Sequence, residues 1–163
     1  MISRRQSIVR SKRKPRTAPA RASWATSDAV RAVMSSNRKK NTSPELRLRS
    51  ALYRLGLRYR IHAKPIASLS INADVVFRNA RVAVFVDGCF WHGCEVHGTW
   101  PVVNRDYWLG KISGNAVRDR RVDDVLRRAG WEPIRVWEHE LAPVAASRIL
   151  ELVRTRRQPA NPM

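Results

Sequence analysis

The chain has 163 residues, 44% of them apolar, which suffices for one core of moderate size and leaves little room for a second folded domain. Lysine and arginine total 32 against 13 acidic residues, a net charge of +19, so the first partner to consider is an anionic polymer, with nucleic acid leading. No run of about 18 apolar residues and no N-terminal apolar stretch of the secretory kind occurs, so the expectation is an intracellular protein that neither spans a membrane nor is exported.

In chain order, residues 1–22 carry eight basic side chains and no acid, with Pro15 and Pro19 breaking any helical pattern. This predicts a disordered basic arm, either a nucleic-acid contact or a solubilising extension. Without those eight charges residues 23–163 still carry +11, so the folded part is basic in its own right. Residues 28–35 fit a short helix, and a polar connection follows to Thr42. Ser43 is expected to cap a helix in which Pro44 and Glu45 suit the first turn, and Leu48, Ala51, Leu52 and Leu55 form one apolar face up to Gly56. Leu57, Tyr59 and Ile61 alternate with Arg58, Arg60 and His62, the period of a strand with one wet face. Ala73–Phe77 and Val82–Val86 flank a turn and predict a hairpin; the second run, almost wholly apolar, belongs at the centre of a sheet. Asp74 is the odd residue in the first run. A long, partly helical stretch over Asn104–Ala129 precedes a strand at Ile134–Trp137, where Pro133 fits only a strand start or an edge. Pro143–Arg154 reads as a last helix. The order predicts an α/β sandwich around a mixed sheet, one domain over residues 23–155, and a disordered tail over 156–163.

Chemistry concentrates just after Val86. Two cysteines in a reducing compartment point to metal ligation or burial ahead of a disulfide. Cys89, Cys94 and His97, with His139 remote in sequence, supply the four ligands of a closed tetrahedral zinc site. His139 lies just past a strand that can sit beside the Val82 strand, so the remote ligand is geometrically sensible. The competing readings are His92 as third ligand in place of His97, and a pair of buried thiols with two surface histidines.

The chain also resembles the very short patch repair (Vsr) endonucleases, bacterial enzymes that nick DNA at T:G mismatches. The resemblance runs from about Met34 through Asn41–Leu46, Gly56–Arg60 and Arg81–Cys94, then Tyr107-Trp108, Lys111-Ile112, Asn115, Arg118-Asp119 and Gly130-Trp131 to Trp137-Glu138. That covers roughly two thirds of the chain, with several rare residues in register. It implies a fold related to type II restriction endonucleases, magnesium-dependent hydrolysis and a structural zinc. It also implies a cytoplasmic, nucleoid-associated monomer acting on double-stranded DNA.

Carried over residue by residue, Asp74 takes the place of the aspartate that binds Mg²⁺ together with a backbone carbonyl, here that of Val86. His92 takes the place of the histidine that handles protons at the attacking water. The physics agrees: a carboxylate holds Mg²⁺, and a neutral imidazole accepts a proton near pH 7. Glu45 matches a family glutamate near the site, which implies a catalytic role in positioning metal-bound water. Asp87 stands where some relatives have a histidine, and is a second acid or an orienting group. Phe90, Trp91 and Trp108 match aromatics that wedge beside the mismatch, and Met34 a methionine entering from the other groove. A mispaired step stacks poorly and opens more cheaply, so such wedges select through deformability. Lys111 and Asn115, one helical turn apart, match positions that contact the mismatched bases. Three departures stand out: relatives usually have a proline before the catalytic aspartate where this chain has Ala73, the third zinc ligand His97 lies one residue beyond where some relatives have a cysteine, and His139 replaces a frequent cysteine.

The expectation is a strand-nicking, Mg²⁺-dependent endonuclease acting at T:G mismatches. Its rivals are a non-enzymatic, zinc-stabilised nucleic-acid-binding protein and a restriction-type nuclease cutting a matched site. Asp74 separates the first rival, since a carboxylate beside phosphate repels it unless a cation intervenes.

Overall fold

A computed structural model describes residues 40–98 and 102–157. The basic arm, the expected helix over 28–35 with Met34, and Trp100 lie outside the described residues, as does the tail from 158 onward.

Helix α1 spans Ser43–Arg54. Its N-cap is Thr42, one residue earlier than expected, because Glu45, three residues on, folds its carboxylate back over Thr42 and Asn41. Strands β1 (Arg60–Ala63), β2 (Ala73–Phe77) and β3 (Val82–Asp87) follow, then helix α2 (Arg105–Arg128), strand β4 (Glu132–Trp137) and helix α3 (Ala142–Arg157). The sheet order is β1-β2-β3-β4, antiparallel in its first two pairings and parallel between β3 and β4. The mixed sheet and the central place of the Val82 strand are as expected. β4 pairs with β3 alone and so is an edge strand, where Pro133 removes no needed donor. Helix α3 runs two residues into the expected tail, and Arg156 there donates to the carbonyls of Ala80 and Gly130.

Helices cover both faces. Leu48, Leu52, Ile149 and Val153 from α1 and α3 pack on Val75, Phe77, Val82 and Val84, while Leu126 and Trp131 pack on Val76 and Ala83 on the other side. Among the described residues no helix is long and apolar enough to cross a membrane.

The expected alternation fails in β1. Ile61, predicted to face inward, is 50% exposed, and His62, predicted to be wet, is half-buried. The reason is local: His62 adopts φ 44°, a left-handed conformation inside a strand, which changes the side-chain phase. Opposite it, Ala73 and Val75 pack in opposite clusters although strict alternation would put them on one face, so β2 turns over at Asp74. This paired irregularity lifts Asp74 and His62 out of the ladder.

Candidate active site

The N-terminus of α1, the ends of β2 and β3, the loop after β3 and one face of α2 enclose a cleft of about 1020 Å³. Glu45 and Asp74 stand on one wall and Lys111, Asn115 and Arg118 on the other, with His92 also lining it. The 111, 115, 118 spacing puts three α2 side chains on one helical face, and the cleft thus has an anionic wall opposite a cationic one.

Asp74 is held by its own sheet. Its Oδ2 accepts the backbone N–H of Val86 at 2.8 Å, and about a quarter of the side chain remains exposed. Burial raises its pKa above the usual carboxylate value; the Val86 bond and His62 pull it down, and the nearby charges of Glu45 and Asp87 push it up, leaving it raised. Glu45 is 5% exposed, its carboxylate accepting from the backbone N–H of Asn41 and the hydroxyl of Thr42 at 2.9 Å each.

His92 places Nδ1 2.6 Å from Asp119 Oδ2. A carboxylate accepts, so Nδ1 donates and Nε2 is left as the ring's acceptor. Asp119 in turn lies 3.4 Å from Arg135, which also donates to Asp87 at 2.9 Å and to Asp123 at 3.1 Å and stacks over the Phe85 ring. Burial lowers the Arg135 pKa, but the bond to Asp123 and the charge of Asp87 more than offset it, and the guanidinium is held firmly protonated. Asp87, 4% exposed, sits within this cluster, 3.7 Å from His92 Nδ1, and does not line the cleft.

Next to the cleft, Cys89, Cys94, His97 and His139 bring one ligand atom each within 4.8 Å of one another. Cys89 Sγ lies 3.0 Å from His139 Nδ1, and Cys94 Sγ 3.8 Å from it. Burial pushes the Cys89 thiol up to about 11; on Cys94 burial also raises the value, but the N–H groups of His97 and Val96 outweigh it and the result is lowered. Two thiols and two imidazoles are the donor set of a closed zinc site. Of the two candidates for third ligand, the fold brings in His97 and turns His92 to Asp119. Glu138 links the two regions: its Oε1 accepts the N–H of Cys89 at 2.6 Å, and it lines the cleft.

The loop between them carries the aromatics. Phe90, Trp91 and Trp108 pack edge to face with centroids 5.1 to 6.0 Å apart. Trp108 is 6% exposed and backs the group, while Phe90 and Trp91 are half-buried and Trp91 reaches the cleft. Asn115 donates to the Trp91 carbonyl at 2.8 Å, and Lys111 lies 5.9 Å from the exposed Tyr107 ring. Gly93 permits this packing: its φ is +68°, and a Cβ there would stand 2.9 Å from Ile112 Cγ2 on α2.

Asp119, Arg135 and His62 were given no place in the expected site. Asp119 lies one turn beyond Asn115 on α2, and Arg135 interrupts an apolar strand; both signals are present in the sequence. His62 gives no such signal, because strand parity assigns it to solvent.

Comparison with known proteins decides the family. The family model described as "DNA mismatch endonuclease Vsr" matches residues 24–97. The type II nicking enzyme V.NaeI of Lentzea aerocolonigenes is 44% identical over 120 residues, 72% of each chain. The chain belongs to the Vsr family. The DNA mismatch endonuclease Vsr of Escherichia coli is 38% identical over 101 residues, 61% of this chain and 62% of that one. Among solved structures, the catalytic domain of homing endonuclease I-Bth0305I superposes with a TM-score of 0.49 at 18% identity, covering 72% of this chain and all of that one. As a Vsr-family member the protein is a DNA endonuclease, a hydrolase, and the reading as a non-enzymatic binding module falls.

Proposed function

We propose that this Vsr-family endonuclease nicks one strand of duplex DNA at a T:G mismatch, using Mg²⁺ held by Asp74 and the carbonyl of Val86. The observation that carries the proposal is the cleft itself, in which Asp74 and His92, the latter oriented from behind by Asp119, share one space with Lys111 and Arg118. The donor set fits a hard cation. Asp74 is a partly buried carboxylate close to two other acids, a placement whose cost shows in its raised pKa and which a divalent ion relieves. When bound, that ion supplies neutralisation of charge on the scissile phosphate.

The chain's own groups do the rest. Arg118 draws the phosphate backbone into the cleft. His92, its Nδ1–H fixed on Asp119, accepts the proton of the attacking water at Nε2. Asp87 and Arg135 act through Asp119 and His92 as positioning residues. Glu45 fixes the start of α1 over the site. Phe90 and Trp91 enter the stack beside the mismatch with Trp108 as their backing, and Asn115 and Lys111 meet the exposed bases. Cys89, Cys94, His97 and His139 would hold Zn²⁺, which would cross-link the loop that presents Phe90 and Trp91.

The test is single-turnover nicking of paired T:G and matched duplexes with Mg²⁺ or EDTA. Asp74→Asn should remove nicking and keep T:G binding within a few fold. Phe90→Ala with Trp91→Ala should erode the preference for T:G, since stacking is worth roughly 1 to 3 kcal/mol per base. Equal cutting of matched duplex by the native protein favours the restriction-type activity instead.

A further inference from the structure

His62 is the third member of a cluster with Glu45 and Asp74, one ligand atom from each lying within 4.8 Å of the others. Its left-handed backbone, φ 44°, is a conformation that a histidine keeps only where its surroundings hold it. A chain of polar contacts does so. Arg49 Nη2 donates to Asn41 Oδ1 at 2.7 Å, and because a guanidinium offers only donors, the amide atom facing it is the oxygen. The same oxygen lies 3.2 Å from His62 Nε2, so Nε2 carries the hydrogen and the neutral ring keeps its lone pair on Nδ1. That nitrogen faces Asp74 Oδ1 at 3.8 Å, too long for a hydrogen bond. The attraction by which His62 lowers the Asp74 pKa belongs to the protonated ring; in the neutral ring an imidazole lone pair and a carboxylate oxygen face one another with no proton between them and repel. Two ligand atoms about 2.1 Å from a common ion lie roughly 3.0 to 4.2 Å apart, a range that includes this spacing. Fixing one imidazole nitrogen on an amide oxygen so that the other is free is also how metal-binding histidines are set.

We propose that His62, through Nδ1, is a further ligand to the divalent cation on Asp74, and that this nitrogen donor gives the site a preference for Mn²⁺ over Mg²⁺. The inference rests on the reading of Asp74 as the cation's carboxylate. A nitrogen ligand favours transition metals over Mg²⁺, which an all-oxygen site suits better.

The experiment needs no DNA. Mn²⁺ is titrated into the full chain and free Mn²⁺ is followed by its electron paramagnetic resonance signal, with Mg²⁺ then added as competitor. His62→Gly suits the left-handed backbone and removes the donor; His62→Asn, which also tolerates that backbone, replaces it if the glycine variant does not fold. Asp74→Asn measures Mn²⁺ held elsewhere on the chain. The expected result is native affinity at least tenfold higher for Mn²⁺ than for Mg²⁺, with that ratio falling at least fivefold in the His62 variant. An unchanged ratio overturns the role of His62 while leaving Asp74 in place. If Asp74→Asn binds Mn²⁺ as the native protein does, the cation site itself is misplaced and both readings fall.

Discussion

The His92–Asp119 contact is the most direct handle on the chemistry. Asp119→Asn keeps shape and volume, and Arg135 retains Asp87 and Asp123 as partners, so the fold should survive. What is lost is a 2.6 Å hydrogen bond between side chains only 21% and 15% exposed. A hydrogen bond to a charged group contributes about 1.5 to 3 kcal/mol. If that is lost from the transition state, where the imidazole gains a proton, the nicking step slows about 10- to 150-fold, at 1.4 kcal/mol per factor of ten. An asparagine that turns its amide nitrogen to Nδ1 also moves the ring hydrogen to Nε2, where the acceptor is needed, and deepens the loss toward the 10²- to 10⁴-fold typical of a missing general base. The assay is rapid-quench nicking of a T:G duplex at saturating enzyme and Mg²⁺, with anisotropy for binding and circular dichroism for folding. Binding should stay within twofold. A folded variant that nicks within threefold of the native rate would refute the orienting role of Asp119.

Gly93→Ala should lose about 2 to 5 kcal/mol in urea denaturation, combining a left-handed alanine at about 1 to 2 with overpacking against Ile112 at about 1 to 3; a loss below about 1 kcal/mol contradicts the close approach. For Asp74 the folded pKa is raised, mainly by burial, so its contribution to the stability of metal-free protein is fully present below the ordinary carboxylate value and is lost as pH rises through the raised one. Asp74→Asn should therefore melt higher than the native protein in EDTA at pH 7, with the gap closing in acid; equal melting temperatures at pH 7 would contradict the sign. The purified protein should carry about one zinc per chain, and stripping it with a chelator or changing Cys94→Ala should lower the melting temperature, because a structural metal contributes directly to folding; a folded preparation without zinc by elemental analysis refutes this.

Elements with strong periodicity were legible from residues alone. The apolar face of α1, the Ala73–Asp87 hairpin and the edge position of Pro133 follow from side-chain spacing and the missing proline donor. The Cys/His group was legible because its residue types are rare and its remote member sits one strand over. The cap at Thr42 was misplaced by one residue because Ser43 is also a good capping residue, and only the return of Glu45 onto Thr42 decides between them. His62 was illegible. Its position follows from one backbone dihedral in a four-residue strand, the contact that holds its ring comes from Asn41, 21 residues away, and the group it faces, Asp74, lies across the ladder.

The cluster around Arg135 has an evolutionary consequence. One guanidinium balances Asp87, Asp119 and Asp123, and the same carboxylates border His92. The histidine that the family resemblance implies at the Asp87 position in some relatives would then not be a free exchange on this background. Introduced alone, it sets an imidazole against a half-buried cation and leaves the arginine short of one partner; removing Arg135 first strands three carboxylates. Either single change should cost stability, so positions 87 and 135 are expected to change as a pair, and a single-residue swap here should lose stability that the paired exchange keeps.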